Sequence, residues 1–446
     1  MFYYLSFLRP PPTSCKPNGT ISITPEVAND LRTELYEGAQ DIYYQWINSS
    51  SGLTLGTAGQ VSSGTRPAKL TTWRQSSAYK ELTVPLPSGV KGGQAWSLVL
   101  TPSVVVDSSP SSQQGGTRPG YVIDLNDNDL GSRPFPVISM PIFFGLNPTK
   151  GDGNPKGGTS VKQEKIQRVY QLLPSGFREG VGDDPSPSKG SQMIITEQTS
   201  FDLDKKIWDS GIGLSSWLSR LMVGSGSTSG GGGDTIQKVK RLLMTEENLN
   251  IIELGAGTGI VAITLAALRT ALVSNKDDSH QVQDVLYTTD LPPAMPLLER
   301  NITSNTHLFP TNPPKAAILD WDNEILPEDT VETLSGKLDI IIMADVTYNT
   351  DSFPSLIRAI HNLIQLPKSH LPNSIPTKPP IIILGYKERH SAERELWPQI
   401  KEIGAELVKL GEREGAGGPH IEIWACVPDE DSYRPHCEPR RWSQSN

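Results

Sequence analysis

The amino-acid sequence predicts an α/β fold whose second half contains a doubly wound, mostly parallel β-sheet. A short apolar run at 249–254 enters a glycine-rich turn, after which apolar residues continue at helical spacing. Four more short apolar runs follow at the intervals of strand–helix–strand units, which place parallel strands side by side. The last two strand-like segments, 406–410 and 420–427, are close enough in sequence to pair antiparallel. Together these patterns predict a parallel sheet that ends in a late hairpin.

The first 190 residues have a different composition and predict little regular structure. Several stretches rich in Ser, Gly, Pro and Thr are too polar to bury a core, so this low-complexity region is expected to be partly disordered. A short helix is predicted at 25–39, because Thr24 fits its N-cap and Pro25 its first position. A few segments are strand-like, and Pro85 would restrict one of them to the edge of a sheet. The sequence leaves two possibilities open for this region: it packs partly against the second half, or it is a mostly disordered extension. The polar stretches are 47–66, 107–119 and 146–161, and the strand-like segments are 81–86, 96–100 and 104–106.

The second half is interpreted as one domain at 191–430 with a C-terminal tail at 431–446. A stretch at 224–233 is almost pure glycine and serine, which predicts a flexible insertion. Apolar periodicity predicts the regular elements, with Asp209 or Ser210 as the N-cap of the first helix. Besides the run before the glycine turn, strands are predicted at 193–197, 285–289, 315–319, 338–343 and 381–384, and helices at about 212–221, 235–244, 293–305, 351–366 and 390–404.

The turn after the first strand of this sheet has glycines at every second position, Gly255, Gly257 and Gly259. The dinucleotide fingerprint G-x-G-x-x-G instead requires a glycine at the position of Ile260, where the helix packs closely and a pyrophosphate binds. Glu253, two residues before the first glycine, would repel a pyrophosphate but can anchor a ligand that is cationic or rich in donors. The pattern therefore predicts a cofactor-binding turn for a ligand without phosphate. An ordinary strand–turn–helix connection is the alternative.

Two side chains at predicted strand ends, and a tryptophan just before the first predicted helix, suit an adenosine group. Asp290 ends the second strand, where a carboxylate can accept hydrogen bonds from both ribose hydroxyls, or begins a turn before Pro292. About 35 residues separate Gly255 from Asp290, against about 20 in dinucleotide-binding units, and a polar insertion accounts for the excess. Trp321 could stack on an adenine or pack in the rim of the sheet, and Trp208 poses the same choice.

A carboxylate and a phenol follow the fourth strand, which is expected beside the glycine turn. Ligands of doubly wound sheets bind outside the carboxyl ends of the strands, so Asp345 and Tyr348 are expected at the mouth of the site. There they could bind an incoming ammonium and then orient its amine. The alternative roles are a capping Asp345 and a core Tyr348. The segment 386–389, with Glu393 or Glu395, forms either a rim for a protein substrate or the start of a solvated helix.

Composition excludes several classes of function. The net charge of −9 gives no basic face for nucleic acid and suits a basic, lysine-bearing substrate. Cys15, Cys426 and Cys437 are too few for a disulfide framework, and neither they nor the seven His show metal-ligand spacing. No apolar run is long enough to cross a membrane, and the apolar segment 1–8 lacks a basic leader. We therefore expect an intracellular protein that uses no metal, nucleic acid or membrane.

The motif E-L-G-x-G-x-G is similar to that of the class I methyltransferases, which bind S-adenosylmethionine. Here it occurs with a W-D pair before it, an Asp after the second strand, a Trp after the third and the sequence A-D-V-T-Y after the fourth. This set resembles the lysine methyltransferase family 16 of seven-β-strand enzymes, over about Gln192 to Val427. The resemblance implies a class I (Rossmann-like) seven-stranded fold, with Asp345 and Tyr348 in the substrate motif. The S-adenosylmethionine contacts expected from it are Trp208, Glu253, Gly255, Ala256, Gly257, Asp290, Trp321 and Ala344.

Members of this family methylate lysines of non-histone proteins such as translation elongation factors, heat-shock chaperones and an AAA ATPase. We therefore expect a monomeric enzyme of the cytoplasm, with the nucleus as a second compartment, that methylates an exposed lysine of a protein substrate. The low-complexity insertions favour a fungal member, for which an elongation factor is the first candidate substrate. The alternatives are a small-molecule N-methyltransferase and a non-catalytic binding module on the same fold. Because no candidate site residue precedes residue 190, the N-terminal region is expected to be dispensable for cofactor binding.

Overall fold

A computed structural model describes most of the chain. The inner residues of the predicted insertion at 224–233, the predicted tail at 431–446 and most of the polar stretches of the N-terminal region lie outside the described residues. The described residues are 1–49, 64–107, 117–145, 161–174, 191–199, 203–224, 233–273, 282–334, 337–369 and 378–427.

The N-terminal region is built from β-strands, fourteen of them among the described residues. In chain order they are β1 (Tyr4–Arg9), β2 (Ser14–Cys15), β3 (Ile21–Ala28), β4 (Gln40–Asn48), β5 (Ala68–Trp73), β6 (Leu82–Val84), β7 (Ala95–Thr101), β8 (Val105–Asp107), β9 (Thr117–Pro119), β10 (Val122–Asp124), β11 (Val137–Ser139), β12 (Ile142–Phe144), β13 (Lys165–Gln171) and β14 (Gln192–Gln198). Seven of them have only two or three residues, and some pair with strands distant in sequence, as β2 does with β12. Such short segments carry too little periodicity to be recognised in a sequence, which is why only a few were expected.

These strands form three sheets. The largest has nine strands, with β10-β13-β11-β7-β12-β2 as its main path and β14, β4 and β5 paired beside it. A second sheet contains β1, β3 and β6, and β8 pairs with β9. Phe7 of β1, Trp46 of β4 and Phe144 of β12 belong to one buried core, so the two larger sheets pack together. The described part of this region is therefore folded.

The prediction of a helix at 25–39 is wrong. Residues up to Ala28 continue β3, in which Ile21 and Ile23 pair with β6, so cross-strand pairing overrides the local helix-start signal. Pro25 is tolerated within β3 because it faces β1 next to a shift in the register of that pair. The prediction from Pro85 is confirmed, since β6 ends one residue earlier and lies at the edge of its sheet.

The second half forms a seven-stranded sheet, which confirms the predicted doubly wound fold. Its strands are β15 (Asn250–Leu254), β16 (Val285–Asp290), β17 (Lys315–Ile318), β18 (Ile340–Ala344), β19 (Ile381–Lys387), β20 (Val408–Arg413) and β21 (Ile421–Cys426). Their order is β17-β16-β15-β18-β19-β21-β20, with β15 to β19 parallel and β21 antiparallel to both of its neighbours. The predicted late hairpin is thus confirmed. The strand predicted at 193–197 is β14, which pairs with β13 and so belongs to the N-terminal sheet.

Helices cover both faces of the seven-stranded sheet. They are α1 (Asp209–Val223), α2 (Gly233–Leu243), α3 (Ile260–Leu272), α4 (Met295–Ser304), α5 (Glu328–Leu334), α6 (Phe353–Ser369) and α7 (Leu396–Glu402). Neighbouring residues of β15 point to opposite faces, so that Ile251 packs in the core with α1 to α4 and Ile252 in the core with α5 to α7. The N-cap of α1 is Trp208 and not Asp209 or Ser210 as predicted. None of the helices in the described ranges has the length and apolar character needed to cross a membrane.

The N-terminal region shares a core with the second half. Phe2, Tyr4, Tyr170 and Met193 are buried in the same cluster as the apolar faces of α1 and α3. This contact decides between the two possibilities left open by the sequence, because the described part of the region packs against the second half.

Two amide side chains of α4 and its C-terminus bind the edge of β14 that faces away from β13. Asn301 Oδ1 accepts a hydrogen bond from the backbone N–H of Thr196 at 2.9 Å, and Asn301 Nδ2 donates to the carbonyl of Thr196 at 3.1 Å. Asn305 makes the same pair of bonds with Ile194, each at 2.8 Å. Both amides are fully buried. They therefore take the place of a neighbouring strand and join the nine-stranded sheet to the second half.

Candidate active site

The glycine turn joins β15 to α3 at the carboxyl edge of the seven-stranded sheet. Gly255 and Gly259 have φ values of +65° and +76°, which residues with a side chain rarely adopt. A Cβ atom at Gly255 would lie 3.0 Å from Val346, and one at Gly259 would lie 2.5 Å from Leu298. Both positions therefore require glycine for backbone conformation and for space.

A cleft of about 230 Å³ lies beside this turn, along the carboxyl ends of β15, β16 and β18. Ligands bind at this edge in doubly wound sheets. The structure brings all ten residues predicted for the site together around this one cleft, although their individual roles stay predictions. The ten are Trp208, Glu253, Gly255, Ala256, Gly257, Asp290, Trp321, Ala344, Asp345 and Tyr348.

Asp290 is held in place by backbone groups of its own turn and of the glycine turn. Its Oδ2 accepts a hydrogen bond from the N–H of Gly257 at 2.7 Å, and its Oδ1 accepts one from the N–H of Leu291 at 2.7 Å. Burial raises the pKa of Asp290, and these two bonds oppose that rise. A carboxylate offers about four lone-pair positions, so the side chain retains acceptor capacity for ligand hydroxyls.

Glu253 has a structural contact that its sequence position did not reveal. Its carboxyl group is buried and accepts a hydrogen bond at 2.6 Å from the hydroxyl of Thr288, the residue paired with it on β16. Burial raises the pKa of Glu253 to about 8, so the group is mostly protonated at neutral pH. Glu253 lines the cleft, and a protonated carboxyl group suits a ligand rich in hydrogen-bonding groups better than a cationic one. Its role as an anchor for a ligand stays a prediction.

The two tryptophans differ in their surroundings. Trp321 is partly buried and packs near the turn, since its ring would lie 3.3 Å from a Cβ atom at Gly255. Trp208 lies under the guanidinium of Arg389, whose central carbon is 5.3 Å from the ring centroid. Cations bind over indole rings in this way. Trp321 thus remains the better candidate for stacking on a base, while one face of Trp208 is occupied by Arg389.

Asp345 follows β18 in a strained conformation. Its φ is +60°, an uncommon value for a residue with a side chain, and such strain is frequent at functional sites. Its Oδ1 accepts a hydrogen bond from Arg389 Nη1, and its Oδ2 accepts one from the backbone N–H of Ser210 at 3.3 Å. Ser210 lies in the first turn of α1, where the helix dipole favours a negative charge. Arg389 and the N-terminus of α1 therefore hold the Asp345 side chain in place at the cleft.

Tyr348 lies at the entrance of the cleft. Its side chain is 59% exposed, so the alternative of a core tyrosine is wrong. The exposed ring can contact a substrate that approaches the cleft from outside.

A buried network of charges adjoins Asp345. Lys387 Nζ lies 2.8 Å from Asp209 Oδ2 and 3.1 Å from Asp30 Oδ1, and all three side chains are at most 4% exposed. Burial and the neighbouring Asp30 raise the pKa of Asp209 to about 6. Arg389 connects this network to Asp345.

Two residues of the N-terminal region reach the site, and no sequence signal pointed to them. Asp30 binds Lys387 and Arg389, and Leu31 lines the cleft. The reason for expecting the first 190 residues to be dispensable is therefore wrong, because a lining residue comes from them. Arg389 was considered only as part of a rim or a solvated helix start, yet its side chain is largely buried beside Asp345.

Comparison with known proteins supports the same class of site. Residues 187–403 match the profile of a family described as lysine methyltransferase, which confirms the resemblance seen in the sequence. Protein-lysine N-methyltransferase EFM6 of Saccharomyces cerevisiae is 27% identical over 160 residues, which are 35% of this chain and 57% of that protein. EEF1A lysine methyltransferase 3 of Xenopus tropicalis is 32% identical over 115 residues, which are 25% of this chain and 41% of that protein. The chain spans about half the length of these curated relatives.

Among solved structures, magnesium protoporphyrin IX methyltransferase of Synechocystis PCC 6803 with bound SAH aligns with 48% of this chain and 88% of its own. The sequence identity is 15% and the TM-score 0.28.

Proposed function

We propose that this chain, whose residues 187–403 match the lysine methyltransferase family, transfers a methyl group from S-adenosylmethionine to a lysine side chain of a non-histone protein. The observation that carries the proposal is that all ten residues expected from the sequence line one and the same cleft, at the carboxyl ends of β15, β16 and β18. Because one fold hosts many functions, the argument depends on these side chains and not on the sheet.

The chemistry of the cleft fits S-adenosylmethionine better than a cofactor with phosphates. Asp290 would hold the ribose hydroxyls, Trp321 would stack on the adenine, and the backbone near Gly255 would contact the methionine part. When bound, S-adenosylmethionine supplies a methyl group on a positively charged sulfur, which keeps the bonding electron pair as the methyl passes to nitrogen. Besides Glu253, five carboxyl groups line the cleft and disfavour phosphates: Asp204, Asp290, Asp320, Asp322 and Asp345.

The acceptor end of the cleft would prepare the lysine. Asp345 is a buried carboxylate with unused acceptor positions, so it can bind an incoming ammonium and then hold the neutral amine. The ammonium must lose its proton to solvent before it can react, and the exposed ring of Tyr348 marks the side from which solvent and substrate enter. Burial around Asp345 strengthens its interaction with the substrate and limits access of water. Orientation of the amine and exclusion of water are thus the tasks assigned to the chain.

An elongation factor is the first candidate substrate, because a relative of 32% identity is named as a lysine methyltransferase of EEF1A. A chaperone or an AAA ATPase is the second candidate, as expected from the family resemblance. The excess of carboxyl groups at the cleft is complementary to a lysine in a basic surface. A small-molecule N-methyltransferase is the alternative function.

Incubation of the full chain with radiolabelled S-adenosylmethionine tests the proposal, with a cell lysate in one sample and recombinant elongation factor 1A in another. We expect label in a protein band and, after proteolysis, on a lysine. Label on elongation factor 1A would also support the first candidate substrate. Label confined to small molecules would favour the alternative function, and no transfer to any lysate component would contradict a methyltransferase.

A further inference from the structure

Two carboxylates from distant parts of the chain share the guanidinium of Arg389. Its Nη1 donates to Asp345, and its Nη2 donates to Oδ2 of Asp30 at 3.0 Å. The Nε atom is buried and has no hydrogen-bond partner among the described residues. A guanidinium often binds one carboxylate through two parallel bonds. Here its donors are instead divided between Asp345 at the cleft and Asp30 behind it.

Asp30 is held firmly in its position. Its side chain is fully buried, and both of its oxygens accept hydrogen bonds from Lys387 Nζ, at 3.1 and 3.2 Å. The backbone N–H of Leu31 donates to Oδ1 at 3.0 Å. Lys387 is itself bound to Asp209 at 2.8 Å. Asp30 therefore cannot follow Arg389 if that side chain moves, and it fixes one side of the guanidinium.

The divided contact leaves acceptor capacity on Asp345. Of the roughly four lone-pair positions of a carboxylate, Asp345 uses one for Arg389 and one for the N–H of Ser210. If Asp30 did not hold Nη2, Arg389 could turn two donors toward Asp345 and form the common bidentate pair. That arrangement would occupy a further acceptor position on the carboxylate proposed to bind the substrate.

We infer that Asp30 is a positioning residue for the acceptor end of the cleft. It holds one side of Arg389 away from Asp345, so that Asp345 keeps an acceptor position for the incoming lysine. This inference rests on the proposed function, because that function gives Asp345 its ligand. It also makes the N-terminal region part of the acceptor site, in agreement with Leu31, the next residue, which lines the cleft.

The variant Asp30→Asn in the full chain tests this inference. Initial rates of label transfer from S-adenosylmethionine to lysate protein should fall about tenfold, the effect of losing one hydrogen bond between charged groups. The Kd of S-adenosylmethionine should stay within about twofold of wild type, because Asp30 does not line the cleft and reaches only one of the residues assigned to the cofactor, Trp208, indirectly through Arg389. When the concentration of lysate protein is varied, kcat/KM for the protein substrate should fall. The KM for S-adenosylmethionine should not change.

Glu26→Gln is the matched control. Glu26 is also a buried carboxylate of the N-terminal region, but it is bound to Ser6 at 3.1 Å and to Arg32 at 3.7 Å and does not line the cleft. Its variant should transfer label at a rate close to that of wild type.

Arg389→Lys separates positioning from folding. An ammonium is a point charge without the planar fork, so it cannot bridge two carboxylates in the same way. If Asp30 acts through Arg389, the double variant with Asp30→Asn should lose little more activity than the worse single variant. Should Asp30→Asn fail to fold, Arg389→Lys alone decides. It should lower the rate about tenfold and change the Kd of S-adenosylmethionine by a smaller factor, since Arg389 also contacts the Trp208 ring.

Two results would overturn the inference and leave the proposed function intact. One is a folded Asp30→Asn chain that labels lysate protein at the wild-type rate, or a folded Arg389→Lys chain that does so. The other is a parallel fall of melting temperature, cofactor affinity and rate in Asp30→Asn, with additive losses in the double variant, since that assigns Asp30 to folding alone. A wild-type chain that labels no protein overturns both the inference and the proposed function.

Discussion

The backbone N–H of Gly257 donates a hydrogen bond to Oδ2 of Asp290 at 2.7 Å, which ties the glycine turn to the end of the neighbouring strand. The carboxylate proposed for the ribose is therefore oriented by the same turn that would contact the rest of the cofactor. Such an arrangement lowers the cost of ordering the site when a ligand binds.

Asp290→Ala should weaken the binding of S-adenosylmethionine by about 1.5–3 kcal/mol, the range for a hydrogen bond to a charged group. Titration calorimetry measures the change. Asp339→Ala is the control, because Asp339 also accepts a hydrogen bond from a backbone N–H, that of Asn250 at 2.8 Å, but precedes β18 at the opposite end of the sheet. Equal affinity in wild type and Asp290→Ala would place the ribose contact elsewhere.

Asp345→Asn should lower methyl transfer by about 100-fold while cofactor affinity changes little, because the lost charge acts on the acceptor. Asparagine tolerates the left-handed backbone at this position better than alanine, so folding is less disturbed. Rates with labelled cofactor, calorimetry and melting temperature together check the prediction. A stable variant that binds the cofactor and transfers at the parent rate would show that Asp345 is not in the acceptor site.

Tyr348→Phe should reduce transfer less than Tyr348→Ala, since the ring at the cleft entrance is retained. The side chain is largely exposed, so both variants should change the free energy of unfolding by no more than about 0.5 kcal/mol. Tyr79→Ala, at another exposed tyrosine outside the cleft, is the control for both measurements. A large fall in melting temperature for Tyr348→Ala would point to a structural role instead.

Glu253→Gln should make the protein more stable than wild type at alkaline pH. The unfolded chain releases this proton near pH 4.3, whereas in the folded chain the pKa of Glu253 is raised to about 8. Between these values the folded state binds the proton more tightly, so the free energy of unfolding of wild type falls as the pH rises. Glutamine does not ionise and can still accept from the Thr288 hydroxyl.

Urea unfolding of wild type and Glu253→Gln at pH 5 and pH 8.5 checks this prediction. The advantage of the variant should be largest at pH 8.5 and should shrink toward pH 5. Glu299→Gln, at an exposed position of α4, should show no such pH dependence. A constant difference between the two proteins across this range would mean that Glu253 does not titrate between the folded and unfolded states.

Asn301→Ala should destabilise the protein by about 2–4 kcal/mol, because the buried N–H and C=O groups of Thr196 lose their partners. Thr303→Ala, on the exposed side of α4, should have little effect. Urea unfolding followed by tryptophan fluorescence gives both values. Stability equal to that of wild type would mean that the contact between β14 and α4 contributes little to folding.

The seven-stranded sheet could be predicted because each of its parallel strands is marked by a pattern within a few consecutive residues. β15 to β19 are continuous apolar runs between polar segments, so their positions were recognised within a few residues. Once their parallel order was assumed, the rule that ligands bind at the carboxyl ends of strands placed Asp290 and Asp345 at one site.

Other parts of the site depend on contacts that leave no local pattern. Asp30 binds Arg389 across 359 residues of sequence, and nothing in the segment around Asp30 marks it as a partner of that side chain. Glu253 was expected to face a ligand as an anion, but its burial against Thr288 follows from the register of β15 and β16, which the sequence does not specify.

The side-chain amides of Asn301 and Asn305, which bind the free edge of β14, come from a part of the chain that is synthesised later. Between the end of β14 and Asn301 and Asn305 lie roughly 100 residues, which a ribosome adds in about 5–20 s. During that interval the last strand of the nine-stranded sheet offers unpaired N–H and C=O groups to any other extended chain nearby. This edge of the nascent protein is therefore open to wrong strand pairing until α4 has left the ribosome.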